Sequence, residues 1–192
     1  DLISSQTSES REKTSIPIRY CLYKGLLGVR VGMGTKETVR ELDRITTWDE
    51  LKEVTLGQVF DWPDFAIQSE AGLRVLRLPE LNSSITRMKM GTFQLMPLGV
   101  VEVGPVAKRN NLSTISTWAI AYPTAYYFFV NKKNTALATH LTSMIFGAHS
   151  KVSCPSGDSA TRCGWKWRTT ALPIWSIFCG NSSIWMHATC IS

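Results

Sequence analysis

Between Leu26 and Gly147 the chain alternates short apolar runs with stretches of helical period. The run "LLGVRVGM" (26–33) predicts a strand, and a charged helix follows from Lys36 to about Asp43. In "TTWDELKE" Thr47 stands at an N-cap position with Glu50 three residues on, the capping-box spacing, so a short helix starts there. "VTLGQVF" is strand-like. In "DWPDFAIQSEAG" Asp61 can cap, Pro63 is tolerated in the first turn, Asp64 favours the dipole and Gly72 ends the helix. "LRVLRL" (73–78) alternates as a strand does, "ELNSSITRMKMG" predicts a helix closed by Gly91, and "FQLMPLG" a short buried strand entering a Pro-Gly turn. "VVEVGPVAKRNN" starts the next helix or turn, "WAIAYPTAYYFFVNKK" gives two extended pieces broken by Pro123, and "NTALATHLTSMI" a helix capped by Asn134.

This rhythm predicts an α/β fold, an open mixed sheet with helices on both faces and strands near 26–33, 54–59, 73–78, 92–97 and 126–131. In such sheets ligands sit beyond the carboxyl ends of the strands, where loops enter helices. The DWPD loop occupies one such place and "MPLG" another. A helix start carries unpaired backbone N–H groups and partial positive charge, which suit an anionic or polar ligand, and Trp62 adds a flat apolar wall. The alternative is a capped helix whose Trp62 packs against a neighbouring loop.

Composition changes the picture mainly at the C-terminal end. The chain of 192 residues is 44% hydrophobic and 19% charged, enough for a core, and its net charge of +6 is spread along the chain. From Phe146 on, the sequence holds four of the five cysteines, four of the seven tryptophans, twelve Ser/Thr and one acid, Asp158, without a helical or alternating period. Residues 146–192 are therefore expected to form an irregular tail outside the main fold, with Trp165, Trp167, Trp175 and Trp185 exposed. A reading-frame shift would account for its composition. A single-stranded nucleic-acid patch around "CGWKWRTT" and a zinc site from its cysteines and His187 are the rival readings. Two basic residues make a short groove, and the cysteine spacings fit no standard zinc pattern.

The opening "DLISSQTSESREK" is polar and has neither an initiator Met nor an apolar segment, so no signal peptide is legible, and no run of about 18 apolar residues occurs. The chain thus reads as a mature piece or a fragment. Gly-x-Ser-x-Gly, Walker-type and Gly-x-Gly-x-x-Gly patterns are absent, and the carboxylates Asp61 and Asp64 are explained as caps. The expectation is a binding module, not an enzyme, with no cofactor and no metal.

Taken in order, "TSESREK", "IPIRYCLYKGLLGVRV", "TTWDELKEVTLGQVFDWPDFAIQSEAGLRVL", "MKMGTFQLMPLGVVEV" and "AYPTAYYFFVNKKNTALA" resemble the extracellular solute-binding proteins of bacterial transporters. The resemblance is to the type 2 periplasmic-binding branch related to polar-amino-acid binders, over residues 1 to about 143. It implies two α/β lobes joined by hinge strands that close on a small solute. On this basis residues 1–20 are expected to be a remnant of the first lobe, 21–145 the second lobe with hinge strands, and 146–192 the tail. The implied ligand groups are Arg11 for a carboxylate, Lys24 at the crossing, and Gln58, Trp62, Asp64, Leu98, Gly99 and Glu102 on the second lobe. Leu98 stands where the close branch has an arginine, and Glu102 is the acid nearest the place of the amino-group aspartate. The resemblance implies a periplasmic transport receptor or sensor for a small polar solute such as an amino acid. A membrane transporter or sensor component is the implied partner, with neither nucleic acid nor membrane insertion. The rival readings are a truncated or frame-shifted fragment without a working site, and a small α/β enzyme.

Overall fold

The computed structural model describes residues 1–148, 175–179 and 182–186. In chain order the first elements are β1 (Leu2–Gln6), α1 (Glu9–Thr14), β2 (Ser15–Ile18), a 3-10 segment (Leu22–Gly28), β3 (Val29–Gly34), α2 (Lys36–Leu42) and α3 (Trp48–Glu53). Then come β4 (Thr55–Val59), α4 (Pro63–Glu70), β5 (Arg74–Leu78), α5 (Leu81–Lys89), β6 (Met96–Gly99) and α6 (Val100–Arg109). The last are β7 (Ser113–Thr114), β8 (Trp118–Ala121), β9 (Tyr126–Asn131), α7 (Thr135–Ala148), β10 (Trp175–Cys179) and β11 (Ser182–Met186). The fold is mixed α/β, with several sheets. Contacts divide the chain into two units, one holding Asp1–Gly25 and the chain from Pro123 through α7, the other Leu26–Tyr122 with β10 and β11.

In the first unit β9 lies between β1 and β2, antiparallel to both. Its alternation supplies two apolar faces. Phe128 and Val130 pack with Ile18 and the α7 residues Leu137, Ala138, Leu141 and Ile145, whereas Tyr127 and Phe129 cluster with Ala125 and Cys21. Asn134 caps α7 as expected, its Oδ1 accepting from the Leu137 N–H at 3.1 Å. One part of the sequence reading is corrected here: the strand 126–131 does not join the main sheet. By contacts, β9 and α7 group with the first unit. The physical reason is that β9 is apolar on both faces and finds both its hydrogen-bonding partners in the N-terminal strands.

In the second unit the sheet order is β11-β10-β8-β3-β6, with β7 also paired to β3, and β4 and β5 form a separate parallel pair. The expected strand 92–97 is divided between these sheets. Gln94 and Leu95 exchange backbone hydrogen bonds with Thr55 and Gly57 of β4, and Met96–Gly99 pair with β3. The core runs along the strands through Val31, Met33, Leu56, Leu78, Leu95, Met96, Leu98 and Trp118, with Leu51, Ile85 and Met88 from the helices. Gly57 leaves room for the Phe93 ring, which a Cβ there would meet at 2.4 Å.

The expectation of a tail without regular elements is also corrected. β10 pairs parallel to β8, and β11 antiparallel to β10. Without β10 the backbone groups on that side of β8 would form an open edge, which pairing removes. Trp165 and Trp167, and the side chains of Trp175 and Trp185, lie outside the described residues, as does the proposed exposure of these rings. Among the described residues no helix is long and apolar enough to cross a membrane, and no cluster of His, Cys, Asp or Glu fits a metal ion.

Candidate functional site

One edge of the second unit collects several chain turns. β4 runs parallel to the strand leading into β6, so both deliver their carboxyl ends to the same edge, and from there α4 and α6 start. β3 begins at this edge, with Arg30 opposite Gly99 on β6 and opposite Ile120 on β8. β8 ends here as well, and Tyr122 follows it. Neither Trp62, the N-cap of α4, nor Gly99, the N-cap of α6, makes a side-chain capping hydrogen bond. Pro63 at the start of α4 removes a donor that would otherwise lack a helical partner.

Behind the edge lies a buried polar cluster. Arg30 Nη2 is 2.7 Å from Asp64 Oδ1, with both side chains more than nine-tenths buried. The Tyr122 hydroxyl donates to the same Asp64 oxygen and accepts from Gln68 Nε2 at 3.3 Å. The Arg30 guanidinium also lies 5.7 Å from the centre of the Tyr122 ring. Burial holds the Tyr122 phenol well above the ordinary tyrosine range, so it remains a donor at neutral pH, and the Asp64 charge acts in the same direction. Glu102, in the first turn of α6, feels the charges of Arg30 and Asp64. Its residue is exposed, yet partial burial of the carboxyl raises its pKa above the usual value. A Cβ on Gly99 would meet Leu27 Cδ2 at 2.4 Å and Glu102 Oε2 at 3.0 Å, so glycine lets the carboxylate fold over the helix start.

The sequence expectation is that the helix starts suit an anionic or polar ligand, with Asp64 favouring the α4 dipole. Asp64 and Glu102 already occupy the positive ends of α4 and α6, and Arg30 balances one of the two carboxylates. Glu102 faces solvent without an ion pair among the described residues, and Asp61, exposed in the loop before Trp62, adds a second carboxylate, so the edge favours a cationic or hydrogen-bond-donating group.

No protein-family model matches the chain, and no curated protein matches it in sequence. Solved structures do. The holo form of ArgBP from T. maritima superposes with a TM-score of 0.57 at 16% identity, over 75% of this chain and 61% of that one. An amino acid ABC transporter substrate-binding protein, AbpA from Streptococcus pneumoniae bound to L-arginine, gives 0.56 at 12% identity, over 77% and 61%. A periplasmic His/Glu/Gln/Arg/opine family-binding protein from Silicibacter pomeroyi in complex with lysine gives 0.54 at 9% identity, over 77% and 62%. The chain has the type 2 periplasmic-binding fold. It spans about three fifths of the length of these structures.

Within this type 2 fold, the residues singled out from sequence have different situations. Gln58, Asp64, Leu98 and Gly99 are buried, Trp62 is half-buried against the core, and Glu102 faces solvent. All six belong to the second unit. Gln58 ties β4 to β6, its Nε2 donating to the Pro97 carbonyl at 3.1 Å and its Oε1 accepting from the Val59 N–H at 3.2 Å. Arg11 and Lys24 belong to the first unit. Arg11 Nη1 donates to the Gln6 carbonyl at 3.1 Å, and Lys24 is exposed with φ +47°. Sequence reasoning missed Arg30, Gln68 and Tyr122. A lone basic residue in "GVRVGM" looks like the solvent face of an alternating strand. Asp64 was singled out as a first-turn acid, but no local signal tied it to that strand.

Proposed function

We propose that this type 2 lobe binds a small polar solute such as an amino acid, and that its contact surface is the edge formed by Trp62 and Glu102, with Gly99 beneath the Glu102 carboxylate. The observation that carries the reading is the convergence of two helix starts, an aromatic wall and the solvent-facing Glu102 carboxylate at the carboxyl ends of β4 and β6. Gln58, Asp64 and Leu98 support this surface from behind. Glu102 would accept the amino group of the solute, and Trp62 would cover its apolar part. The three solved structures described above carry names or ligands of amino-acid binding, which agrees with the reading. By the same likeness the protein works in the periplasm as a transport receptor or sensor, with a membrane transporter or sensor component as partner, and performs no catalysis.

Isothermal titration with a panel of amino acids tests this. Binding of at least one of them is expected, with Trp62→Ala weakening it and Trp48→Ala, a core change in α3, leaving the affinity of the folded fraction in place. Absence of heat across the panel, or equal losses in both variants, overturns it.

A further inference from the structure

The residues of α4 that are buried are both polar, Asp64 and Gln68. Four positions apart, they lie on one face of the helix, one turn above the other. An apolar stripe is non-directional and tolerates sliding, whereas hydrogen bonds fix distance and angle. These two side chains add a directional constraint to the packing of α4 on β4 and β5. Tyr122 meets both, donating to Asp64 and accepting from Gln68 through a single hydroxyl oxygen. Its own backbone is held to the start of β3, the Tyr122 N–H donating to the Gly28 carbonyl at 3.1 Å. Arg30, from β3, meets the same Asp64 oxygen as the Tyr122 hydroxyl. Trp62 lies immediately before this helix and makes no side-chain cap that would fix the first turn locally.

We propose that Tyr122 is a positioning residue: its hydroxyl, shared by Asp64 and Gln68, sets the seat of α4 on the sheet and thereby the place of Trp62 at the edge. The consequence for ligand affinity rests on the binding function proposed above; the placement of Trp62 does not. Tyr122 touches no solute in this scheme. It acts through α4, and it does so from the last residue of the second unit before the chain crosses at Pro123.

The full chain labelled with 5-fluorotryptophan separates the two questions. The Trp62 resonance is assigned by its loss in Trp62→Phe, and those of Trp48 and Trp118 likewise. In Tyr122→Phe, which keeps the ring and removes the hydroxyl, the Trp62 signal is expected to shift or broaden while Trp48 and Trp118 keep theirs. Gln68→Met, which removes only the second hydrogen bond, should move the same signal in the same direction by less, and it serves if Tyr122→Phe does not fold. An unchanged Trp62 signal in either folded variant, or tryptophan signals that all move together, overturns the proposal. L-arginine titrated into the wild type and Tyr122→Phe gives the second readout, with affinity expected to fall about tenfold through loss of one buried hydrogen-bonding group. If the wild type binds no member of the amino-acid panel, the binding function fails, and the fluorine spectra still decide the role of Tyr122.

Discussion

Arg30 and Asp64 form an ion pair held out of water. A buried pair contributes little net stability, because desolvation offsets the attraction, but removing one member leaves the other charged and unpaired. Asp64→Ala should therefore cost about 3–5 kcal/mol in urea unfolding, against about 1 kcal/mol or less for a surface pair such as Arg74–Glu53. A loss under about 1 kcal/mol at Asp64 would mean that Arg30 is compensated by other groups. Glu102 makes a different, pH-dependent prediction. Burial raises its folded pKa above the ordinary 4.5, so the folded chain holds this proton more tightly than the unfolded one. Its contribution to stability is fully present below the unfolded pKa and is lost as pH rises through the folded value. Glu102→Gln should remove that part of the downward slope, in a window that opens near pH 4.5 and extends upward. Unfolding midpoints measured across this window check it, and parallel curves for the two proteins would contradict it.

At the level of elements, what was legible in the sequence was what local chemistry decides. Thr47 and Glu50 were assigned a capping box from spacing alone. In the fold, the Thr47 Oγ1 accepts from the Glu50 N–H at 3.3 Å, and a Glu50 carboxylate oxygen accepts from the Thr47 N–H at 3.1 Å. Thr47→Ala is expected to cost about 1 kcal/mol, measured by thermal or urea unfolding. Gly72 and Gly91 were read as helix ends and both have the left-handed backbone that such ends use, with φ +83° and +77°. Partnerships between distant segments were not legible. Asp64 was read as a dipole-favouring acid, and its first-turn position is right, yet its side chain serves Arg30 on β3 and Tyr122 beyond β8. Likewise the apolar run "YYFFVN" announced an extended piece without saying which strands would flank it. The hairpin of β10 and β11 did carry a local signal, Gly180-Asn181 between two five-residue apolar-rich runs, which the tail's composition obscured.

For the whole molecule, the pairing of β10 with β8 decides whether the C-terminal segment belongs to the second unit in energy as well as in contacts. Trp118–Ala121 of β8 are flanked by β3 on one side and β10 on the other. A proline in β10 removes one backbone donor and fixes φ, and successive N–H groups of a strand point to opposite neighbours. Of Ile177→Pro and Phe178→Pro, one therefore removes a hydrogen bond directed to β8 and the other one directed to β11, and both disturb the strand between. If β10 holds the edge of β8 closed, both substitutions should accelerate amide exchange in a peptide spanning 118–121. The β3–β6 ladder on the far side of the sheet should stay protected in both. Exchange at 118–121 that is the same in the wild type and in both variants would show that β8 is stable as an edge on its own. The segment after α7 would then be attached to the second unit without stabilising it, as its separate composition first implied.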